Sequence, residues 1–290
     1  MKPFPYHTVF LTGASGGLGR SLTRALIQEG CLVIGTGRSA DKLEAFRNTL
    51  GEKKDAFVPL PFDIRNEAAW DQVIAVLREK NLMPDLIIQN AGVLPPFAGF
   101  RATSPAVFRQ TWETNFAAPV MSTRKWLEVC PEQTGFYFIG SSNAIAPIGG
   151  TGAYSAAKGA LCNWTSCLAE ELRGRYYIGT AILGFVKTDI FRYQHHSAEH
   201  RLIDMIAADP DQTARKILKA IRKKKQRKVF GTDARLMCPF SAVFPVWATK
   251  VYRWAMVKSR LPLFSDIYSD SSDCRTEAEL SDSADSERNR

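Results

Sequence analysis

A tyrosine and a lysine stand four residues apart in the segment GAYSAAKGAL, where nearly every neighbour is small. Residues i and i+4 lie on one face of an α-helix, so Tyr154 and Lys158 would stand side by side, with no bulky neighbour to bury them. A phenol beside an ammonium group could act as an acid/base pair, and the small residues would leave room for a substrate. The pattern alone also fits a plain amphipathic helix, so the rest of the chain has to decide.

The segment TGASGGLG lies between a predicted strand and a predicted helix. In this context Gly13 permits a tight turn, Gly17 lets the backbone approach phosphates, and Gly19 allows close packing of helix on strand. The segment therefore predicts a dinucleotide whose pyrophosphate lies at a helix N-terminus.

The second predicted strand ends in GTGRS, with Arg38 in place of an acidic residue. A carboxylate at this position binds the ribose 2′-hydroxyl of NAD, whereas a guanidinium grips a 2′-phosphate through charge-assisted hydrogen bonds. We therefore predict NADP(H) as the cofactor.

Apolar runs of strand length alternate along the chain with segments of helical spacing, and no internal repeat interrupts them. This alternation predicts an α/β fold, a Rossmann-type doubly wound parallel sheet, as a single domain with a C-terminal helical extension. The predicted divisions are 1–232 for the NADP-binding and catalytic domain, 233–264 for an apolar and amphipathic extension, and 265–290 for a disordered acidic tail. The predicted strands are 8–13, 31–38, 56–63, 84–92, 135–142 and 176–185, with a seventh after a basic helix at 215–231.

Over residues 6–232 the sequence resembles the short-chain dehydrogenase/reductase family, in the subgroup with TGxxxGxG and YxxxK motifs. The motifs that carry the resemblance occur in order: TGASGGLG, FDI, QNAG, Asn115, Ser141, YSAAK and GFVKTD.

The resemblance implies a role for each matching position. Tyr154 is implied as the general acid/base, Ser141 as the partner of the substrate oxygen, Lys158 as the holder of the nicotinamide ribose, and Asn115 as a helix bend that anchors a water. Ser142 remains an alternative to Ser141, although a spacing of thirteen residues before the tyrosine favours Ser141. The residues implied to contact the cofactor are Gly13, Ser15, Gly17, Leu18, Gly19, Arg38, Asp63, Asn90, Ala91, Gly92, Tyr154, Lys158, Val186 and Thr188.

Electrostatics agrees with this pairing. A free tyrosine has a pKa of about 10, which is poorly matched to neutral pH. A lysine charge at about 5 Å, with an effective dielectric of about 20, contributes about 3 kcal/mol, or roughly 2 pKa units. We therefore predict that Lys158 lowers the pKa of Tyr154.

Composition limits the setting in which the protein works. Apolar residues make up 45% of the chain, enough for a core, and the six cysteines show no C-x-x-C pair, as is typical of a reduced, cytoplasmic compartment. Neither a signal peptide nor a spanning helix is predicted. The formal net charge is +9, although residues 265–290 hold eight acids against three arginines. The basic body would attract nucleic acid, an anionic membrane or a phosphorylated cofactor, and it lacks the interleaved aromatic residues of a nucleic-acid site.

The segment after Thr188 is predicted to form a lid over the site. It contains His195, His196, His200 and Asp204, but no cysteine joins them and the implied reaction needs no metal, so we predict no metal site.

Residues 236–264 are rich in Trp, Phe, Val and Met and are flanked by bases. Beside the basic cluster of Lys223, Lys224, Lys225, Arg227 and Lys228, this pattern favours peripheral contact with an anionic membrane. A homodimer interface and a cap over the substrate pocket remain alternatives.

These patterns together predict an NADP(H)-dependent oxidoreductase that transfers a hydride to or from a carbonyl or alcohol group of a lipophilic substrate: steroid, retinoid or acyl-like. The alternative is a dinucleotide-sensing protein on the same fold without turnover. The complete Asn115, Ser141, Tyr154 and Lys158 set argues for the enzyme, because a sensor has no need of a proton relay.

Overall fold

The computed structural model describes residues 3–188, 207–259 and residue 267. The predicted histidine-rich lid and, apart from Ile267, the acidic tail lie outside the described residues.

Seven parallel strands form one sheet in the order β3-β2-β1-β4-β5-β6-β7. The chain order reverses between β1 and β4, and this reversal creates the crevice at the carboxyl ends of the strands where ligands of such sheets bind. The predicted doubly wound sheet is confirmed. The strands are β1 (Thr8–Thr12), β2 (Leu32–Gly37), β3 (Phe57–Pro61), β4 (Leu86–Gln89), β5 (Gly135–Ser141), β6 (Tyr177–Leu183) and β7 (Arg227–Phe230).

Helices cover both faces of the sheet and bury two apolar cores. One core contains Leu26 of α1, Phe46 of α2 and Ile217 of α7, and the other contains Trp70 of α3, Trp126 of α5 and Leu161 of α6. Strands buried on both faces read as continuous apolar runs, which is why they are readable from the sequence. The helices are α1 (Gly17–Gln28), α2 (Ala40–Asn48), α3 (Glu67–Glu79), α4 (Pro105–Trp112), α5 (Ala118–Val129), α6 (Gly152–Glu171), α7 (Pro210–Arg222), α8 (Thr232–Val243) and α9 (Pro245–Ser259).

Local signals set the ends of these helices. The Asn66 side chain accepts a hydrogen bond from Ala69 N at 3.3 Å and caps α3, as predicted. Gly30 follows α1 with a φ of +88°, a left-handed conformation that glycine adopts without strain.

The C-terminal helix pair, α8 and α9, follows the last strand directly. The division predicted after residue 232 falls at the first residue of α8. Ala234 and Cys238 of α8 pack against Cys162 of α6 and Ile182 of β6. This end of the chain is therefore fixed to the side of the sheet near the Tyr154 helix.

Candidate active site

The glycine loop after β1 has the geometry that its sequence predicts. Gly13 has a φ of +69°, and a Cβ atom on Gly19 would lie 2.0 Å from the carbonyl oxygen of Gly13. A side chain at either position would therefore strain the turn or push α1 off the strand.

The N-terminus of α1 is free to bind an anion. Its N-cap residue, Gly16, makes no side-chain cap hydrogen bond, and the first turn contains no acidic residue. Free N–H groups at the positive end of a helix dipole suit a pyrophosphate, so this part of the chain fits a dinucleotide.

A hydrogen-bonded link joins the loop to the QNAG segment. The hydroxyl of Thr12 accepts from the backbone N–H groups of Asn90 and Ala91, both at 2.9 Å, and Asn90 Nδ2 donates to Thr12 O at 2.9 Å. The carboxyl ends of β1 and β4 are thereby held together beside the crevice. Thr12 is absent from the predicted site, although its place before Gly13 could have signalled it.

Arg38 lies exposed just beyond the end of β2. It makes no ion pair with any residue that the structure describes, although its charge helps to lower the pKa of Asp63. Asp63 is held by Arg65, whose Nη2 lies 2.6 Å from a carboxylate oxygen, and this hydrogen bond is the largest cause of the lowered pKa. Arg38 is thus an available cation at the position where a 2′-phosphate is expected.

Tyr154 and Lys158 lie one turn apart on α6, as their spacing predicts. Both are buried, at 8% and 4% exposure, and the ammonium nitrogen lies 6.0 Å from the centroid of the phenol ring. Lys158 Nζ donates to Ile139 O of β5 at 2.8 Å. The lysine is therefore oriented by the sheet.

The predicted lowering of the Tyr154 pKa is wrong for the protein described here. Burial raises the pKa of Tyr154 to about 12, and a hydrogen bond from Ser141 lowers it only in part. Burial also lowers the pKa of Lys158 to about 8. The loss of hydration opposes charge on both groups and outweighs the attraction between them, because Lys158 is directed to Ile139 O rather than to the phenol oxygen. Tyr154 is consequently protonated at neutral pH and suited to donate a proton.

The structure favours Ser141 over Ser142 as the serine of the site. Ser141 ends β5, and its hydroxyl interacts with Tyr154. The same oxygen accepts from Asn143 N at 3.2 Å, which fixes its orientation.

Asn115 lies fully buried in a π-helical turn, Glu113–Ala117, between α4 and α5. Its amide accepts from Val93 N and donates to Val93 O, both at 2.8 Å. The predicted helical stretch 104–128 is thus two helices joined by this turn. A Cβ atom on Gly92 would lie 3.0 Å from Asn115 Oδ1 and 3.5 Å from Lys158 Nζ, so these three predicted residues meet at one point.

The predicted cofactor residues after β6 lie across the crevice from the glycine loop. Val186 forms an isolated bridge with Ala208, and a Cβ atom on Gly17 would come within 2.8 Å of Thr188 Cβ. Thr188 therefore already lies against the segment expected to hold the pyrophosphate. His195, His196, His200 and Asp204 lie outside the described residues, and within the described part of the chain no group of acidic, histidine or cysteine side chains has the arrangement of a metal site.

Two further sets of residues around Tyr154 have no clear sequence signal. Asn143 Nδ2 donates to Thr151 Oγ1 at 3.2 Å, and Thr151 Oγ1 lies 2.8 Å from Ser155 Oγ, so the loop after Ser141 is tied to the start of α6. An apolar wall also packs against Tyr154; it consists of Leu94, Phe97 and Phe185.

The reversal point of the sheet, with its uncapped helix and its buried serine, tyrosine and lysine, defines a dinucleotide-dependent oxidoreductase. The chain belongs to the short chain dehydrogenase family, whose sequence pattern matches residues 7–199. The predicted family is confirmed.

Relatives in this family have several substrates. The chain is 32% identical over 173 residues to a serine 3-dehydrogenase of Agrobacterium fabrum, covering 58% of this chain and 67% of the relative. It is 26% identical over 258 residues to the ketoacyl reductase HetN of a Nostoc species, covering 85% and 88%. It is 30% identical over 168 residues to the NADP-dependent 3-hydroxy acid dehydrogenase YdfG of Escherichia coli K12, covering 57% and 66%.

A solved structure supports the fold. A short-chain dehydrogenase from Streptomyces avermitilis superposes with a TM-score of 0.71 at 24% identity, covering 87% of this chain and 97% of that one.

Proposed function

We propose that this protein is an NADP(H)-dependent oxidoreductase that reduces a carbonyl group of a lipophilic substrate to an alcohol. The observation that carries the proposal is the buried Ser141–Tyr154–Lys158 group beside an apolar wall at the carboxyl edge of the sheet.

Each of these side chains has a distinct role in the proposal. The nicotinamide, when bound, supplies the hydride. Ser141 donates a hydrogen bond to the substrate oxygen, and Tyr154 gives its phenolic proton to that oxygen. Lys158 stabilises the phenolate that is left, and Asn115 holds the strand-end segment around Val93 against the lysine. The raised pKa of Tyr154 keeps the proton in place at neutral pH and so favours the reductive direction.

The choice of NADP(H) rests on Arg38, and it agrees with the cofactor in the name of the Escherichia coli relative. The guanidinium is exposed beyond β2 and has no ion-pair partner among the residues that the structure describes. A 2′-phosphate would supply that partner.

We expect Arg38→Asp to reverse the cofactor preference. The wild type should bind NADPH more tightly than NADH, and the variant should bind NADH more tightly, because a carboxylate repels the 2′-phosphate and accepts from a ribose hydroxyl. A charge-assisted contact contributes about 1.5–3 kcal/mol, so NADPH affinity should fall by roughly 10- to 100-fold in titrations of cofactor fluorescence. Arg47→Asp, an arginine exchange on the far end of α2, is the control. Equal affinity of the wild type for both cofactors would contradict the proposal.

The lipophilic substrate class rests on the wall of Leu94, Phe97 and Phe185 around Tyr154. A carboxylate or amino acid substrate would need a cation or a polar pocket here, and this apolar cluster supplies neither. The ketoacyl relative is compatible with an acyl-like substrate, whereas the serine and hydroxy acid relatives have small polar ones.

We expect kcat/KM to rise along a series of methyl ketones of increasing alkyl length. Each methylene that the apolar wall buries contributes about 0.8 kcal/mol, or roughly fourfold. Phe97→Ser should flatten the series, while the exposed control Val76→Ser should leave it unchanged. A higher kcat/KM for serine or for a short hydroxy acid than for the long ketones would overturn the substrate class and leave the reaction type intact.

The proposal places the enzyme in the cytoplasm, in peripheral contact with an anionic membrane. No helix in the described ranges is long and apolar enough to span a bilayer. A dinucleotide sensor remains the competing function; it would bind NADPH without consuming it. We propose no nucleic-acid partner, and a homodimer is treated below as an outcome of an experiment.

A further inference from the structure

The C-terminal helix pair presents an apolar surface to solvent. On α9 the side chains of Ala248, Tyr252 and Met256 face inward, and Tyr252 OH donates to Met237 O of α8 at 3.1 Å. The remaining faces carry large apolar groups, of which Trp247 is 67% and Trp254 62% exposed. The other exposed apolar residues of the pair are Leu236, Phe240, Val243, Phe244, Val246, Val251 and Val257.

The charges on this surface have one sign. The pair contains four bases and a single acid, Asp233. That carboxylate is turned inward and accepts a hydrogen bond from Phe185 N at 2.9 Å. Lys250 and Lys258 lie 5.8 and 4.7 Å from the ring centroids of Trp247 and Trp254. Tryptophan beside lysine on an apolar face is the composition that settles in the headgroup region of an anionic bilayer.

Both ends of this segment contact the rim of the candidate active site. At the start of α8, Asp233 holds the backbone of Phe185, whose ring belongs to the apolar wall around Tyr154. Beyond α9, the side chain of Ile267 lies against Gly150, where a Cβ atom would be 2.5 Å from Ile267 Cδ1. Gly150 O accepts from Ala98 N at 3.1 Å, next to Phe97 of the same wall. The exposed apolar surface is thus continuous with the entrance for substrate.

We propose that the C-terminal helix pair docks the enzyme on an anionic lipid bilayer, so that a lipophilic substrate passes from the lipid to Tyr154. This inference rests on the proposed function, and it names the source of the substrate. A second copy of the chain is a poorer occupant, because two surfaces with an excess of bases would repel each other across an interface.

The test is flotation of the full chain with vesicles of phosphatidylcholine and about 30% phosphatidylglycerol, an anionic lipid. Each base near such a surface strengthens binding by about 1 kcal/mol, roughly fivefold. Lys250→Gln/Lys258→Gln should therefore weaken partitioning about 25-fold. The matched control, Lys53→Gln/Lys54→Gln, removes the same charge from exposed lysines beside β3 at the opposite edge of the sheet and should float like the wild type.

A second variant tests the apolar part. Trp247→Ser/Trp254→Ser should abolish flotation, while its thermal unfolding and its turnover of a water-soluble ketone stay near wild type, because both side chains point to solvent. Lys223→Gln/Lys224→Gln/Lys225→Gln, in the exposed turn between α7 and β7, measures the added contribution predicted for the basic cluster.

Three results would overturn the docking proposal: no flotation of the wild type, equal flotation of the helix-pair variants and the control, or a wild-type dimer that the tryptophan variant converts to monomer without any vesicle binding. The last would assign the surface to a second copy. None of these results touches turnover of the soluble ketone, so a failure of docking and a failure of the oxidoreductase proposal are distinguishable.

Discussion

Tyr154→Phe should lower turnover about 10³-fold while cofactor affinity stays near wild type. The exchange removes one hydroxyl and no carbon, so the packing of the ring against Leu94 is kept. What is lost is the proton that the substrate oxygen must receive. Steady-state rates with NADPH and a lipophilic ketone give the first quantity, and a fluorescence titration with NADPH gives the second.

The matched control is Tyr137→Phe. Tyr137 is buried in β5, and its hydroxyl has no hydrogen-bond partner, so its removal should leave the rate unchanged. If the Tyr154 variant kept most of its activity, Tyr154 would not be the acid.

Lys158→Ala should lower kcat/KM by roughly 10²-fold and also weaken cofactor binding, because the charge that stabilises the phenolate and a ligand of the ribose are lost together. The wild type adds a pH signature. The pKa of Lys158 is about 8, so the side chain is charged below that pH and neutral above it. The kcat/KM of reduction should therefore fall as the pH rises through about 8.

Lys158→Arg separates charge from structure. A guanidinium stays protonated over the whole range, so this variant should keep part of the activity and lose the descending limb near pH 8. A limb that persists unchanged in the arginine variant would belong to another group, and the role given to Lys158 would be wrong.

The sheet and the glycine loop could be predicted because their constraints are local. Continuous apolar runs mark strands buried on both faces, Asn66 caps its own helix, and Gly13 and Gly19 are required by a turn and a close contact that only glycine permits. The π-helical turn at Asn115 was readable only through the family resemblance, since nothing in the helical spacing of 104–128 announces it.

The electrostatic state of the site could not be predicted from spacing. The interval between Tyr154 and Lys158 fixes their side-by-side placement, but their burial and the hydrogen bond from Lys158 to Ile139 O depend on how α6 packs on β5. Burial reversed the expected direction of the Tyr154 pKa. The link from Asn143 to Thr151 likewise joins two loops by tertiary contact, and their residue types are ordinary for loops.

The most direct test of the oxidoreductase proposal is a set of lipophilic aldehydes and ketones incubated with NADPH and the full chain, with loss of nicotinamide absorbance measured against Tyr154→Phe as the blank. The account predicts that at least one of these compounds is converted to its alcohol in equal amount to the NADPH consumed, and that the blank shows neither change. Binding of NADPH without consumption across steroid, retinoid and acyl-like carbonyls would contradict it and would identify the chain as a dinucleotide sensor.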